Sequence, residues 1–163
     1  MAIGTNIHPQ AIVSGEAKLG AGVQIGAYAV VGAGVELGDG CVLHEHAVVR
    51  GPSKFGLKNV FHSFCVIGGD PQDYTFRGER VELHVGNDNI FREHVTVSRG
   101  TTKGGGITRI GNDNFFLSYS HVGHDCQIGN NTLLAPNFDG PRTTVCSCSR
   151  QPSPSSTPAL TTA

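Results

Sequence analysis

The segment SYSHVGHDCQIG, residues 118–129, contains the residue types that could carry chemistry. His121 and His124 lie three residues apart, and Asp125 follows directly. A histidine can accept a proton near neutral pH, and an acidic neighbour can orient it and stabilise its charged form. The same imidazoles could instead bind a metal ion together with a third histidine, for which His94 is a candidate, or be ordinary surface residues. Spacing alone leaves these three interpretations open.

The catalytic motifs of several other enzyme classes are absent from the sequence. No G-x-S-x-G segment occurs, so a serine-hydrolase mechanism has no support. The three glycines at 104–106 are not followed by the Lys-Ser/Thr pair of a phosphate-binding loop, and we interpret them as a flexible loop. Cys126 lies beside the histidines, but we expect its side chain to fill space in the core.

Composition and charge limit the class of protein. The chain has 163 residues, 12 Lys and Arg against 13 Asp and Glu, and 23 glycines. The balanced charge gives no reason to expect a nucleic acid or an anionic membrane as partner. Five scattered cysteines argue against a secreted disulfide framework, and we find no signal peptide or apolar stretch of membrane-spanning length. These features predict a soluble protein of a reducing compartment.

A period of six residues is the strongest pattern in the chain. One apolar residue, which we call the anchor, recurs at Ile7, Val13, Leu19, Ile25, Val31, Leu37, Leu43, Val49, Phe55, Phe61 and Ile67. A second small or apolar residue often stands two positions earlier, so both lie on the same face of a strand. Three such units form a triangular coil, and stacked coils pair their strands in parallel. The pattern predicts an all-β parallel β-helix with a narrow core of Ile, Leu, Val, Ala and Phe.

The period is broken at residues 68–80 and 98–109 and returns after each break. Insertions in such a helix leave as loops from its corners, where functional residues often lie. In the resumed phase Val122 is an anchor, so His121 and His124 are expected on the outer side of the coil. The repeat extends over residues 1–137. Residues 138–163, rich in Pro, Ser and Thr, are interpreted as a disordered or frame-shifted tail.

Several motifs in these places resemble those of one known family. They are IHPQAIV at 7–13, PQD and GE in the first insertion, REHVTVSRGT at 92–101, the GGG run, and HVGHDC at 121–126. Over about residues 6–137 the sequence resembles the UDP-N-acetylglucosamine acyltransferases. These are acyl-carrier-protein-dependent enzymes that start lipid A biosynthesis.

The resemblance implies a left-handed β-helix that forms homotrimers in the cytoplasm, with active sites between subunits. It implies transfer of a 3-hydroxyacyl or similar fatty acyl group from acyl carrier protein to the 3-hydroxyl of UDP-N-acetylglucosamine. His124 matches the general base, and Asp125 would hold it. His121, Gln72 and Asp73 match positions that contact the nucleotide sugar or the acyl chain. The resemblance requires no metal or other cofactor.

The chain also departs from the family pattern. Thr75 stands where a lysine is common, and Arg77 is a candidate replacement for that cation. The family's remaining coils would supply a backbone N–H for the oxyanion, the floor of the acyl pocket and a C-terminal helical domain. Because these would follow Asn137, we expect this chain to be inactive or nearly so.

Two other functions compete with the acyltransferase. One is a metal-binding β-helix similar to the gamma-class carbonic anhydrases, which predicts bound zinc. The other is a non-catalytic β-helix module, which predicts neither activity nor binding of a nucleotide sugar.

Overall fold

Short strands follow one another at close to the predicted spacing. The computed structural model describes residues 4–136, in which nineteen strands of two to four residues alternate with turns. They are β1 (Asn6–Ile7), β2 (Ile12–Val13), β3 (Lys18–Leu19), β4 (Gln24–Ile25), β5 (Val30–Val31), β6 (Val35–Leu37), β7 (Val42–Leu43), β8 (Val48–Val49), β9 (Ser53–Phe55), β10 (Val60–Phe61), β11 (Val66–Gly69), β12 (Glu82–Val85), β13 (Ile90–Phe91), β14 (Thr96–Ser98), β15 (Ile107–Ile110), β16 (Phe115–Phe116), β17 (His121–Val122), β18 (Gln127–Ile128) and β19 (Leu133–Leu134).

Every third strand joins the same parallel sheet. The first sheet has the order β1-β4-β7-β10-β13-β16-β19, the second contains β2, β5, β8, β11, β14 and β17, and the third contains β3, β6, β9, β12, β15 and β18. Each strand therefore pairs with the strand one coil away, as where Phe61 aligns with Leu43 on one side and Phe91 on the other. The result is a left-handed parallel β-helix, which confirms both the repeat interpretation and the handedness that the resemblance implied.

The anchors point inward and form the core. Phe61, Phe91 and Phe116 are fully buried and lie one above another, with ring centroids 5.3 and 4.8 Å apart. Val122 is also fully buried, as the phase predicts. Ile7 remains 43% exposed, because the first coil has a neighbour on only one side.

The core is not purely apolar, contrary to the prediction. Asn59, Asn89 and Asn114 stack in the first sheet two positions before their anchors, and all three are buried. The Nδ2 of Asn89 donates to Asn59 Oδ1 and that of Asn114 to Asn89 Oδ1, each at 2.9 Å. The Nδ2 atoms also bond to turn carbonyls, so this column meets the requirement that buried polar groups be hydrogen-bonded.

Both insertions leave the helix where the chain passes from the second sheet to the third. The first loop comprises residues 70–81, and the second comprises residues 99–106 with a short 3-10 helix at Thr102–Gly104. Each loop is shorter than the break in the sequence pattern, because β11, β12 and β15 extend to four residues. We call this edge the site corner; it also contains residues 123–126, one coil further along.

The predicted boundary at 137 and the predicted tail at 138–163 lie outside the described residues. Within residues 4–136, no helix is long and apolar enough to cross a membrane.

The phenylalanine column makes a test of the coil-on-coil core possible. Phe91→Ala should lower the free energy of unfolding by about 3–5 kcal/mol, because it leaves a cavity between two rings. Phe64→Ala is the matched control, since the Phe64 ring also stacks between two neighbours but is 51% exposed. Urea unfolding measures both variants, and an equal loss in the two would contradict the buried column.

Candidate active site

The residues singled out from the sequence lie on or next to the site corner. His124 and Asp125 form the turn between β17 and β18. The second loop lies one coil below them and the first loop one coil further. Because both insertions leave from this corner, residues far apart in the chain meet around His124.

His124 and Asp125 form a hydrogen-bonded pair. The His124 Nδ1 lies 2.7 Å from Asp125 Oδ2, and the two side chains are 34% and 20% exposed. Since an ionised carboxylate only accepts hydrogen bonds, the Nδ1 atom must carry the proton. The lone pair of the neutral ring is then on Nε2, which makes Nε2 the nitrogen that can accept a proton.

Asp125 is held by groups that the sequence analysis did not identify. Its Oδ1 accepts from the Thr101 backbone N–H at 2.6 Å, and its Oδ2 accepts from the Thr101 hydroxyl at 2.7 Å. The backbone N–H of Asp125 donates to Thr108 Oγ1 at 2.9 Å. Both threonines are buried; Thr101 orients the carboxylate, and Thr108 holds the backbone of the same residue.

The glycine run brings the second loop onto this carboxylate. A Cβ atom on Gly104 would lie 1.9 Å from Asp125 Cγ, so no residue with a side chain fits there without a shift. That this loop is flexible, as three glycines suggested, stays a prediction. It contains a 3-10 turn in which Thr101 Oγ1 accepts from the Gly104 N–H at 3.1 Å.

These contacts influence the pKa of the Asp125 carboxyl. Burial, the largest single influence, raises the pKa of Asp125, but hydrogen bonds from Thr101 and His124 together outweigh it. The net effect lowers the pKa of Asp125 below its ordinary value. The group is therefore a carboxylate at neutral pH and can stabilise a protonated His124.

The remaining predicted residues lie on the second sheet and in the first loop. His121 is exposed on the second sheet, and its Nδ1 lies 2.7 Å from Thr96 Oγ1 on the neighbouring strand. Gln72 is exposed in the first loop, and Asp73 is half-buried beside it. Thus His121 and His124 share a coil, as predicted, but His121 bonds to the second sheet and His124 to the carboxylate at the corner.

The described residues give little support to the interpretation that the histidines bind a metal ion. Within residues 4–136, no three His, Cys, Asp or Glu side chains form a group that could hold a metal ion. The proposed third ligand, His94, lies on another corner with its ring stacked between Phe64 and Tyr119. Cys126 is buried, which confirms its expected packing role.

Known proteins share both the repeat and the overall path of the chain. A family model described as bacterial transferase hexapeptide (six repeats) matches residues 16–51 and 107–137. The acyl-[acyl-carrier-protein]–UDP-N-acetylglucosamine O-acyltransferase of Stenotrophomonas maltophilia is 57% identical over 131 residues, which are 80% of this chain and 50% of that protein. The protein with the same name from Alkalilimnicola ehrlichii is 62% identical over 131 residues, or 80% of this chain and 51% of that protein.

Solved structures agree with these sequence matches. The UDP-N-acetylglucosamine acyltransferase of Bacteroides fragilis superposes with a TM-score of 0.76 at 36% identity, covering 78% of this chain and 49% of that one. The Campylobacter jejuni structure gives a TM-score of 0.75 at 34% identity, covering 78% and 50%.

The repeat and the fold define a hexapeptide-repeat β-helix. Over about four fifths of its length the chain is similar to the UDP-N-acetylglucosamine acyltransferases, which confirms the resemblance seen in the sequence. The chain spans about half the length of the curated relatives it matches.

The role of Thr101 can be tested through the pH dependence of stability. Thr101→Val keeps the shape but removes a hydrogen bond to a charged group, which is worth about 1.5–3 kcal/mol of unfolding free energy at pH 7. Because the folded pKa of Asp125 is lowered, the stability it contributes is present above its unfolded pKa and is lost as the pH falls through the folded pKa.

Urea unfolding at a series of pH values should therefore show the gap between wild type and Thr101→Val shrinking as the solution becomes acidic. Thr102→Val is the control, since Thr102 is an exposed neighbour in the same loop. A gap that is constant from pH 7 to pH 2 would show that the hydroxyl does not act through Asp125.

Proposed function

We propose that this chain carries the general base of an acyl-carrier-protein-dependent O-acyltransferase that acts on UDP-N-acetylglucosamine in lipid A biosynthesis. The hydrogen bond between His124 Nδ1 and Asp125 Oδ2 is the observation that carries this proposal. It presents an oriented imidazole on the corner that also bears both inserted loops. The names of the relatives support the choice of acyl donor and acceptor.

A sugar hydroxyl is too weak an acid to attack a thioester without help. His124 Nε2 would take the proton from the 3-hydroxyl as its oxygen bonds to the acyl carbon. The carbon–sulfur bond then breaks, and the imidazolium returns the proton to the departing thiolate of acyl carrier protein. Asp125 stabilises the positive charge on the ring between these two steps.

The proposed substrate contacts lie in the first loop and on the second sheet. Gln72 and Asp73 in the first loop, and His121 on the second sheet, are proposed to contact the nucleotide sugar or the acyl chain. Gln72 and His121 are exposed, so a ligand can reach them. The Asp73 carboxylate is held by the Thr75 amide and hydroxyl, both at 2.8 Å, which presents it in one orientation.

The assembly and location belong to the same proposal. We propose a homotrimer with active sites between subunits, acting in the cytoplasm with acyl carrier protein and UDP-N-acetylglucosamine as partners. The proposed catalytic unit is the β-helix of residues 1–137. The inactivity expected from the sequence stays a prediction.

Binding of the acceptor substrate tests the proposed substrate class. UDP-N-acetylglucosamine should raise the thermal midpoint of the chain, because a ligand that binds only the folded state stabilises it. Asp73→Asn should reduce this shift, whereas Asp88→Asn, an exposed aspartate outside both loops, should not. If saturating UDP-N-acetylglucosamine leaves the midpoint unchanged, the chain is better described as a non-catalytic module.

The general base is tested by transfer of a labelled 3-hydroxyacyl group from acyl carrier protein. We expect His124→Ala to lower the rate of transfer about 100- to 10,000-fold because proton removal is lost. His8→Ala provides an exposed-histidine control at the far end of the helix. Equal rates for His124→Ala and wild type would remove His124 from the mechanism.

A further inference from the structure

The two inserted loops contact each other through charged groups. The guanidinium of Arg99, at the start of the second loop, bonds to the Asp70 carboxylate at the start of the first loop. It also donates to the Gly51 carbonyl at 2.8 Å, two coils below. Arg99 is largely buried, so this contact fixes the base of the first loop.

A second contact joins the loops nearer their tips. The Lys103 ammonium lies 2.5 Å from Thr75 Oγ1 and 3.5 Å from Asp73 Oδ2. Thr75 therefore has a cation beside it, but the cation comes from the second loop and not from Arg77. The Arg77 guanidinium instead donates to the carbonyls of Tyr74 and Phe76 in its own loop, each at 2.9 Å.

Lys103 is also close in the chain to the residues that hold the catalytic carboxylate. Thr101 bonds to Asp125 from two residues before Lys103, and Gly104, directly after it, packs against the same carboxylate. The 3-10 turn that contains Lys103 thus packs against Asp125, while the Lys103 side chain reaches the first loop. One short segment connects Asp73 to the His124–Asp125 pair.

We propose that Lys103 is a positioning residue that holds the first loop, with Gln72 and Asp73, at a fixed distance from His124. This inference rests on the proposed function, in which those two residues contact the sugar nucleotide. Removal of the ammonium would leave the first loop attached at its base through Arg99 but unrestrained around Asp73. Substrate affinity would then fall, because the loop must be ordered when the ligand binds.

The charge state of Asp73 agrees with this arrangement. The backbone N–H and then the hydroxyl of Thr75 lower the pKa of Asp73, and the nearby Lys103 ammonium acts in the same direction. Asp73 is thus a carboxylate at neutral pH and attracts the lysine. An exposed pair of this kind is weakened by salt, so the restraint on the loop should depend on ionic strength.

Hydrogen exchange of residues 71–80, followed by mass spectrometry, tests the contact without any need for turnover. Lys103→Met should speed exchange of this segment about two- to fivefold, the range expected for an exposed ion pair. Lys103→Arg keeps a cation and should exchange like wild type. Lys18→Met is the matched control, because Lys18 makes an exposed ion pair with Glu36 at 3.0 Å that lies outside both loops.

Binding of UDP-N-acetylglucosamine, measured by calorimetry on the same variants, tests the positioning role. We expect Lys103→Met to weaken binding about two- to fivefold and Lys103→Arg to restore it. Wild-type exchange in Lys103→Met, or equally fast exchange in Lys103→Arg, would overturn the ionic contact. Faster exchange with unchanged affinity would overturn the positioning role. If wild type binds no UDP-N-acetylglucosamine, the proposed function and the positioning role fail together, while exchange still shows whether the contact exists.

Discussion

Each coil of this helix is stable only because another coil covers it. A strand of two residues forms too few hydrogen bonds to persist alone, and its anchor is buried only when the next coil lies above it. This stacking produces the column of Phe61, Phe91 and Phe116. It also produces the backbone hydrogen bonds between neighbouring strands of the three sheets. The amide column of Asn59, Asn89 and Asn114 results from the same stacking, because each side-chain amide hydrogen-bonds to the one in the next coil.

Stacking also explains how a small corner can position the His124–Asp125 pair. Asp125 receives hydrogen bonds from Thr101 in the coil below and gives one to Thr108, so it is held by two neighbouring segments at once. Half-burial would oppose its negative charge, but the donors around it outweigh that effect. A rigid scaffold with an oriented base is the arrangement that proton transfer to and from a substrate requires.

The corner between the first and second sheets uses the same geometry for a different purpose. Its turns place bulky rings in the left-handed backbone region, which at the other turns is occupied by Asp, Asn, Gly or Lys58. The rings stack in one continuous column, formed by Tyr28, His46, Phe64, His94 and Tyr119. Such stacking contributes about 0.5–1.5 kcal/mol per aromatic pair and offsets much of the left-handed cost of about 1–2 kcal/mol per residue. This column accounts for His46 and His94 as structural residues.

The amino-acid sequence by itself determined the repeat, the inward direction of the anchors, the outward direction of His121 and His124, and the presence of two insertions. These features follow from a strict period, because alternate residues of a strand face opposite sides. Only the tertiary structure decided that Thr101 holds Asp125, that Lys103 and not Arg77 lies beside Thr75, and that asparagines occupy part of the core. A period states which way a side chain points, whereas these contacts join residues 24–30 positions apart whose meeting depends on how each inserted loop folds.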